Sequence, residues 1–347
     1  MKIDNFSIGT GAPVFIIAEL SANHNGSLET ALETIRAAKR AGADAIKLQT
    51  YTADTLTIDS QKEDFLIKSG SIWDGKSFHS LYQSAYTPWE WHKALFDCAE
   101  EEGLACFSSP FDPTAVDFLE NLNVPAYKIA SFEITDIPLI KYVASKGKPV
   151  ILSTGIATAE DIELALEACR SVGNEDIAIL KCTSSYPAPI EEANMVMIAD
   201  FKTRFGVEVG LSDHTMGSIV PVVATCFGAK IIEKHFILDR SIGGPDASFS
   251  MDEKEFGDMV KQVRLAESAI GEVDYSLTKK QIAGKAFSRS LYIVEDVKKG
   301  EPLSASNLRS IRPGFSLHPK HYEEILGKKV KVDLERGARI NLDDIEL

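Results

Sequence analysis

Five cysteines in 347 residues, none in a C-x-x-C pair, leave no framework for a disulfide scaffold or a thiolate zinc site. Cys98, Cys106, Cys169, Cys182 and Cys226 read instead as reduced thiols packed in a core, which predicts a cytoplasmic protein. No apolar run approaches the ~18–20 residues of a membrane span, and the N-terminus shows no charged-then-apolar leader. Basic residues are also few: 37 Lys and Arg stand against 51 Asp and Glu, a net charge of -14. That balance argues against a nucleic-acid partner, whose phosphates demand a basic surface. It does not argue against a small anion held by a few well-placed cations.

What is present is a rhythm. From Val14 to about Ile270, short apolar runs alternate with amphipathic stretches. Strands are predicted at Val14–Ala18, Ala45–Gln49, Ala105–Ser108, Ala126–Ile129, Pro149–Ser153, Ile177–Lys181, Val207–Leu211 and Ile231–His235. Continuous apolar runs suit parallel strands covered on both faces. Ser27 is placed to cap a helix over Leu28–Ala41 that Gly42 ends, and Thr87-Pro88 to open one over Trp89–Glu102. Eight such units have the length of an α/β fold of the (β/α)8 TIM barrel type, with an open doubly wound sheet as the alternative. The long segment Tyr51–Tyr86 either covers the barrel mouth or packs on its outside. Residues 1–270 thus form the barrel, 271–285 a polar linker, and 286–347 a small, mainly β domain punctuated by Lys299-Gly300-Glu301 and Arg312-Pro313-Gly314.

In such a barrel the site lies at the C-terminal strand ends. Those ends carry Glu19, Asn23-His24, Lys47, Gln49, Ser108-Ser109, Lys128, Ser131, Glu133, Ser153-Thr154, Thr183-Ser184, Tyr186, Ser212-Asp213-His214 and His235. Alternation puts Lys47 with Gln49, Ser212 with His214, and Glu233 with His235, while Lys234 points the other way and stays out of the site. Hydroxyls and ammonium groups around one hollow suit a phosphate or carboxylate. Lys47, inside an apolar run, needs an anion or an ion pair with a residue such as Glu233. His214 and His235, ending neighbouring strands, either bond within the core or hold one divalent ion. Manganese or magnesium fits better than zinc, because neither a thiolate nor a third imidazole is evident.

These phrases resemble the sialic acid synthase family: Ile17-Ala18-Glu19 with Asn23-His24-Asn25-Gly26, Ile46–Thr50, Phe107–Phe111, Tyr127–Ser131, Leu152–Gly155, Gly210–Thr215 and Glu233–Phe236. The stretch after Phe287 looks like the antifreeze-like (SAF) domain that ends those proteins. Within the family, Glu19–Gly26 and the segment Lys62-Glu63-Asp64-Phe65 through Tyr86-Thr87-Pro88 look most like the pseudaminic acid branch. Ser184 stands where N-acetylneuraminate synthases usually carry asparagine.

The resemblance implies a transferase that joins phosphoenolpyruvate to an open-chain acetamido sugar aldehyde, here 2,4-diacetamido-2,4,6-trideoxy-L-altrose, and releases phosphate. It implies Mn2+ or Mg2+ on His214 and His235 as a Lewis acid for the aldehyde, and Glu19 near the water that adds at C2. It assigns Lys47, Ser109, Lys128, Ser131, Ser153, Ser184 and Ser212 to phosphoenolpyruvate, and Glu133, Tyr186 and Asp246, with Gln49 beside them, to the acceptor. Phe287 and Arg312 would reach the other subunit's barrel in a homodimer with exchanged C-terminal domains. N-acetylmannosamine and a legionaminic precursor remain alternative acceptors. A metal-dependent barrel hydrolase and a non-enzymatic carbohydrate- or ice-binding protein are the competing classes.

Overall fold

A computed structural model describes residues 1–68, 70 and 73–346. Eight parallel strands close into a barrel in which chain neighbours are sheet neighbours throughout. They are β1 (Phe15–Glu19), β2 (Ala45–Thr50), β3 (Ala105–Pro110), β4 (Tyr127–Ile129), β5 (Val150–Ser153), β6 (Ile177–Cys182), β7 (Glu208–Asp213) and β8 (Ile231–His235), with β8 pairing back onto β1. The helices that follow them are α1 (Leu28–Arg40), α2 (His92–Glu101), α3 (Pro113–Asn121), α4 (Ile137–Ala144), α5 (Ala159–Arg170), α6 (Met197–Phe205), α7 (Ile219–Cys226) and α8 (Glu253–Ile270). This is the (β/α)8 barrel, and the open sheet is excluded.

Two apolar layers build it. Outward strand residues such as Ile16, Ile46, Leu152, Leu211 and Ile232 pack against the helices. Inward residues Phe15, Ile17, Phe107, Ile151, Leu180 and Ile231 fill the barrel floor, where Ile3 and Ile8 of an N-terminal hairpin join them. Gly210 keeps this floor tight: a Cβ there would lie 2.5 Å from the Ile231 carbonyl and 2.6 Å from Leu180. Above the floor the same inward positions turn polar, through Glu19, Lys47, Ser109, Lys128, Ser153, Ser212 and Glu233. The change of chemistry along one face places the site.

Several sequence expectations need correcting. The first, second, third, sixth and seventh strands run on to Glu19, Thr50, Pro110, Cys182 and Asp213, because rim residues stay in register with their neighbours although most of them are polar. Thr87 does not cap the next helix. Its hydroxyl meets His24 Nε2 at 3.3 Å, and Pro88 precedes a 3-10 turn, Trp89–Trp91, that leads into α2. Cys226 is exposed, unlike the other four thiols.

Contacts divide the chain into Met1–Gly271 and Glu272–Leu347. The second unit pairs β9 (Ser290–Ile293) antiparallel with β10 (Leu308–Ile311) over a small core that includes Leu291, Ile293, Val297, Ile325, Val330 and Ile340. A short helix, Lys279–Gly284, capped by Thr278, lies within the stretch expected to be irregular.

Candidate active site

The barrel's upper interior is organised around a buried charge cluster. Lys47 Nζ lies 2.8 Å from Glu233 Oε1 and 3.1 Å from Glu19 Oε2, across adjacent strands β8, β1 and β2. Ser212 donates to Glu233 Oε1 at 3.2 Å, and Gln49 donates to Glu19 Oε1 at 2.9 Å. Lys128 Nζ approaches Glu233 to 4.0 Å and donates to the Ile129 carbonyl. Alternation brings these groups together, and the ion pair with Glu233, one of the two alternatives for Lys47, is present. Burial disfavours every charge here, and the partners decide each outcome. Burial pushes Glu19 up to about 7 despite the pull of Lys47. Burial also opposes the Glu233 carboxylate, but Lys128 and Lys47 outweigh it and hold the group below its usual range. Lys128, with less compensation, falls to about 8.

Beside this cluster lies a cradle of hydroxyls. Ser109 Oγ and Ser153 Oγ are buried and have no hydrogen-bond partner among the described residues. Orphaned buried hydroxyls are costly unless something arrives to bond them. Ser131 Oγ accepts from the Gly155 amide at 3.1 Å. Gly155 is required: a Cβ there would sit 2.0 Å from Ser184 Oγ and 2.8 Å from Ser131 Oγ. Two serines converge only because that side chain is missing.

His214 and His235 stand next to one another, their ring centroids 5.3 Å apart and tilted by 52°. A metal–nitrogen distance of about 2.1 Å puts each centroid about 3.3 Å from a shared ion, so rings roughly 5 Å apart match a common ligand sphere. His214 Nδ1 lies 3.0 Å from the Thr183 carbonyl, which can only accept, so in the neutral ring Nδ1 carries the proton and Nε2 the lone pair. His235 Nδ1 is buried without a partner, 4.0 Å from Asp246 Oδ2, and burial holds this ring well below the usual histidine value. Burial opposes a charge on His214, but Cys182 and the Thr183 carbonyl outweigh it and hold this ring above the usual histidine value, so a divalent ion would displace a proton from His214 and meet a neutral His235. Among the described residues no group of three His, Cys, Asp or Glu side chains is arranged for a metal, so other ligands would be water or substrate.

An aromatic wall flanks the histidines. The Tyr186 ring lies 4.4 Å from His214 and 5.2 Å from Phe249, and Phe249 lies 5.0 Å from His235. Trp73 meets Tyr186 at 5.7 Å, so the 51–86 segment reaches the mouth at this point. Opposite, Glu133 Oε2 is buried without a partner, and burial pushes this carboxyl up to about 7.

Asp246 accepts a 2.5 Å bond from Ser21. Phe287 and Arg312 are exposed residues of the second unit. Asn23 and His24 bond within the loop after β1 and its neighbours. Cys182 was missed as a site residue. Its sulfur lies 3.7 Å from His214 Nδ1 and 3.9 Å from Ser184 Oγ. Extending the alternation Ala178, Leu180 by one step would have turned it inward.

Fold and site together define the class: a barrel enzyme whose rim sets buried lysines and serine hydroxyls beside a pair of open imidazoles. The NeuB family model matches residues 34–275 and the SAF domain model residues 288–346, and the chain belongs to the NeuB family. It is 51% identical to a pseudaminic acid synthase of Campylobacter jejuni over 346 residues, covering 100% of both chains. It is 47% identical to one from Helicobacter pylori, covering 96% of this chain and 98% of that one. Among solved structures, the spore coat polysaccharide biosynthesis protein spsE of Bacillus subtilis superposes with a TM-score of 0.68 at 34% identity, covering 100% of this chain and 99% of that one.

Proposed function

We propose that the chain condenses phosphoenolpyruvate with 2,4-diacetamido-2,4,6-trideoxy-L-altrose, as a synthase of the pseudaminic acid type. One observation carries the reading: an open imidazole pair shares a rim with two lysines and a cradle of unbonded serine hydroxyls. The full-length identity with two pseudaminic acid synthases favours that branch. The acceptor has a methyl at C6 and two acetyl methyls, and the wall of Tyr186, Phe249 and Trp73 offers apolar surface for such groups.

Lys128, Ser109, Ser131, Ser153, Ser184 and Ser212, with Lys47 behind them, hold the phosphoenolpyruvate anion and orient its methylene carbon toward the aldehyde. A divalent ion on His214 and His235, Mn2+ or Mg2+, would supply Lewis acidity for the aldehyde carbonyl. The new C–C bond takes the enol π electrons, the aldehyde oxygen gains a proton, and C2 becomes electron-poor. Water adds at C2 and gives a proton to Glu19, whose raised affinity for protons suits a base near neutrality. The C2–O bond to phosphate then breaks, phosphate leaves, and the added oxygen loses its remaining proton to become the ketone. Glu133, Tyr186, Asp246 and Gln49 position the acceptor.

Such a reaction draws on a cytoplasmic metabolite, which suits a cytoplasmic protein. No helix among the described residues is long and apolar enough to cross a membrane. A homodimer with exchanged C-terminal domains would give exposed Phe287 and Arg312 a barrel to complete.

The test is phosphate release with each substrate alone and together, with and without chelator. Release should require both phosphoenolpyruvate and the trideoxy sugar, vanish with chelator, and vanish in His235→Ala, which keeps its circular dichroism. Equal turnover with N-acetylmannosamine would refute the acceptor, and release from phosphoenolpyruvate alone would refute the condensation.

A further inference from the structure

We propose that the buried Lys234–Asp213 ion pair, on the reverse side of the strands that end in His214 and His235, positions those two rings for their metal ion. The inference rests on the metal reading above.

The geometry is specific. Lys234 and Asp213 are register partners on β8 and β7, each immediately preceding one of the two histidines. Their side chains are about 1% and 2% exposed, and Lys234 Nζ lies 2.5 Å from Asp213 Oδ2. The same ammonium also donates to the Thr215 carbonyl. Asp213 Oδ1 in turn accepts from the Thr215 amide at 3.0 Å and the Thr215 hydroxyl at 2.8 Å. One ammonium therefore grips the residues on both sides of His214 while sitting next to His235 in its own strand. The His214 carbonyl is held as well, accepting from the Ala188 amide at 3.0 Å. On the other strand, Met251 donates to the His235 carbonyl at 2.9 Å.

Stability is a poor reason for this pair. It lies in the layer between strands and helices, where the neighbouring outward positions of the two strands are Val209, Leu211 and Ile232. Buried ion pairs are often replaced by apolar side chains at no loss. What apolar side chains cannot do is tie the turn Asp213–Thr215 to β8 by two directed hydrogen bonds and brace it from within by two more. Ring orientation at a metal site is set by such outer contacts, and losing them typically costs about 10- to 100-fold in metal affinity. The Thr183 carbonyl fixes which nitrogen of His214 is open, and the Lys234 clamp fixes where that ring stands.

The experiment uses the full-length protein and the double variant Asp213→Leu/Lys234→Met, with Thr215→Val as a milder variant that keeps the ion pair. Mn2+ affinity is measured by competition with a chelating dye, the Co2+ visible spectrum reports ligand geometry, and thermal unfolding of the metal-free protein reports the fold. We expect the double variant to unfold near the native temperature yet bind Mn2+ about 10- to 100-fold more weakly, with an altered Co2+ spectrum. Thr215→Val should weaken binding several-fold, and it carries the test if the double variant does not fold. Native Mn2+ affinity and an unchanged Co2+ spectrum in the folded variants overturn the proposal. His235→Ala is the control: if it binds Mn2+ as the native protein does, the metal reading itself has failed, which is a different result.

Discussion

Replacing Glu233 with glutamine isolates the charge on which the site is balanced. Glutamine keeps the shape and an oxygen for Lys47 and Ser212, so the loss is electrostatic. Glu233 Oε1 is 2.8 Å from Lys47 and 4.0 Å from Lys128. At an effective dielectric of about 20 these contacts amount to roughly 6 and 4 kcal/mol. The carboxylate's own desolvation, several kcal/mol, is relieved at the same time. Breaking one side of a buried pair costs about 3–5 kcal/mol net, which lowers the unfolding temperature by roughly 5–9 °C for a domain of this size. The substrate signature is opposite in sign. With Glu233 neutral, two lysines face Glu19 alone, so an arriving anion is attracted more strongly. Saturating phosphoenolpyruvate should then raise the melting temperature of Glu233→Gln by more than it raises that of the native protein, and its KM should not increase. Differential scanning fluorimetry with and without phosphoenolpyruvate, plus a KM measurement, tests both halves. A melting temperature within about 2 °C of native, together with a raised KM, would show that Glu233 does not balance the lysines.

Two further outcomes follow from the same site. Lys128 titrates at about 8, so kcat/KM for phosphoenolpyruvate should fall as pH rises through that value in the free enzyme. Because the unfolded lysine stays protonated to about 10.5, this group's contribution to stability improves between those two values; in Lys128→Arg the alkaline fall in kcat/KM should disappear, and a fall that persists there belongs to another group. Gly155→Ala places a methyl 2.0 Å from Ser184 Oγ, the mobile end of a short side chain. The unfolding temperature should therefore shift little while the KM for phosphoenolpyruvate rises about tenfold or more, and an unchanged KM would take Ser184 out of the cradle.

Much of this was legible in the sequence because a parallel barrel writes itself in two periods. Apolar runs such as Ala45-Ile46 and Ile231-Ile232 announce strands covered on both faces, and alternation then sorts Lys47, Gln49, Glu233 and His235 onto the inner one. Strand ends were harder, because the rim is polar for chemical reasons while its backbone still pairs. Stopping the sixth strand at Lys181 hid Cys182, which lies against His214. Thr87 was misread because its hydroxyl serves His24, a partner 63 residues away that no local capping rule contains. Lys234 was rightly turned away from the barrel interior, but nothing in the spacing shows that it would hold Asp213 and Thr215 from behind. Long-range side-chain pairing is where the reading of one chain stops.

The two lysines, grouped together by the sequence, are not equivalent. An ammonium has three donors. Lys47 directs its charge at Glu19 and Glu233, whereas Lys128 donates to one backbone carbonyl and stands 4.0 Å from its carboxylate. Lys47 therefore keeps two carboxylates in place, one of them the candidate base, and on the proposed reading backs the anion from behind rather than meeting it directly. Lys128 has donors to spare and lies in the same upper layer as the unbonded Ser109 and Ser153 hydroxyls, which on the proposed reading makes it the cation an incoming phosphate or carboxylate meets first. This division explains how a barrel can hold four ionisable groups away from water before any substrate arrives. Three of them satisfy one another, and the fourth, lowered to about 8, keeps most of its charge at neutral pH and holds it more firmly once an anion binds.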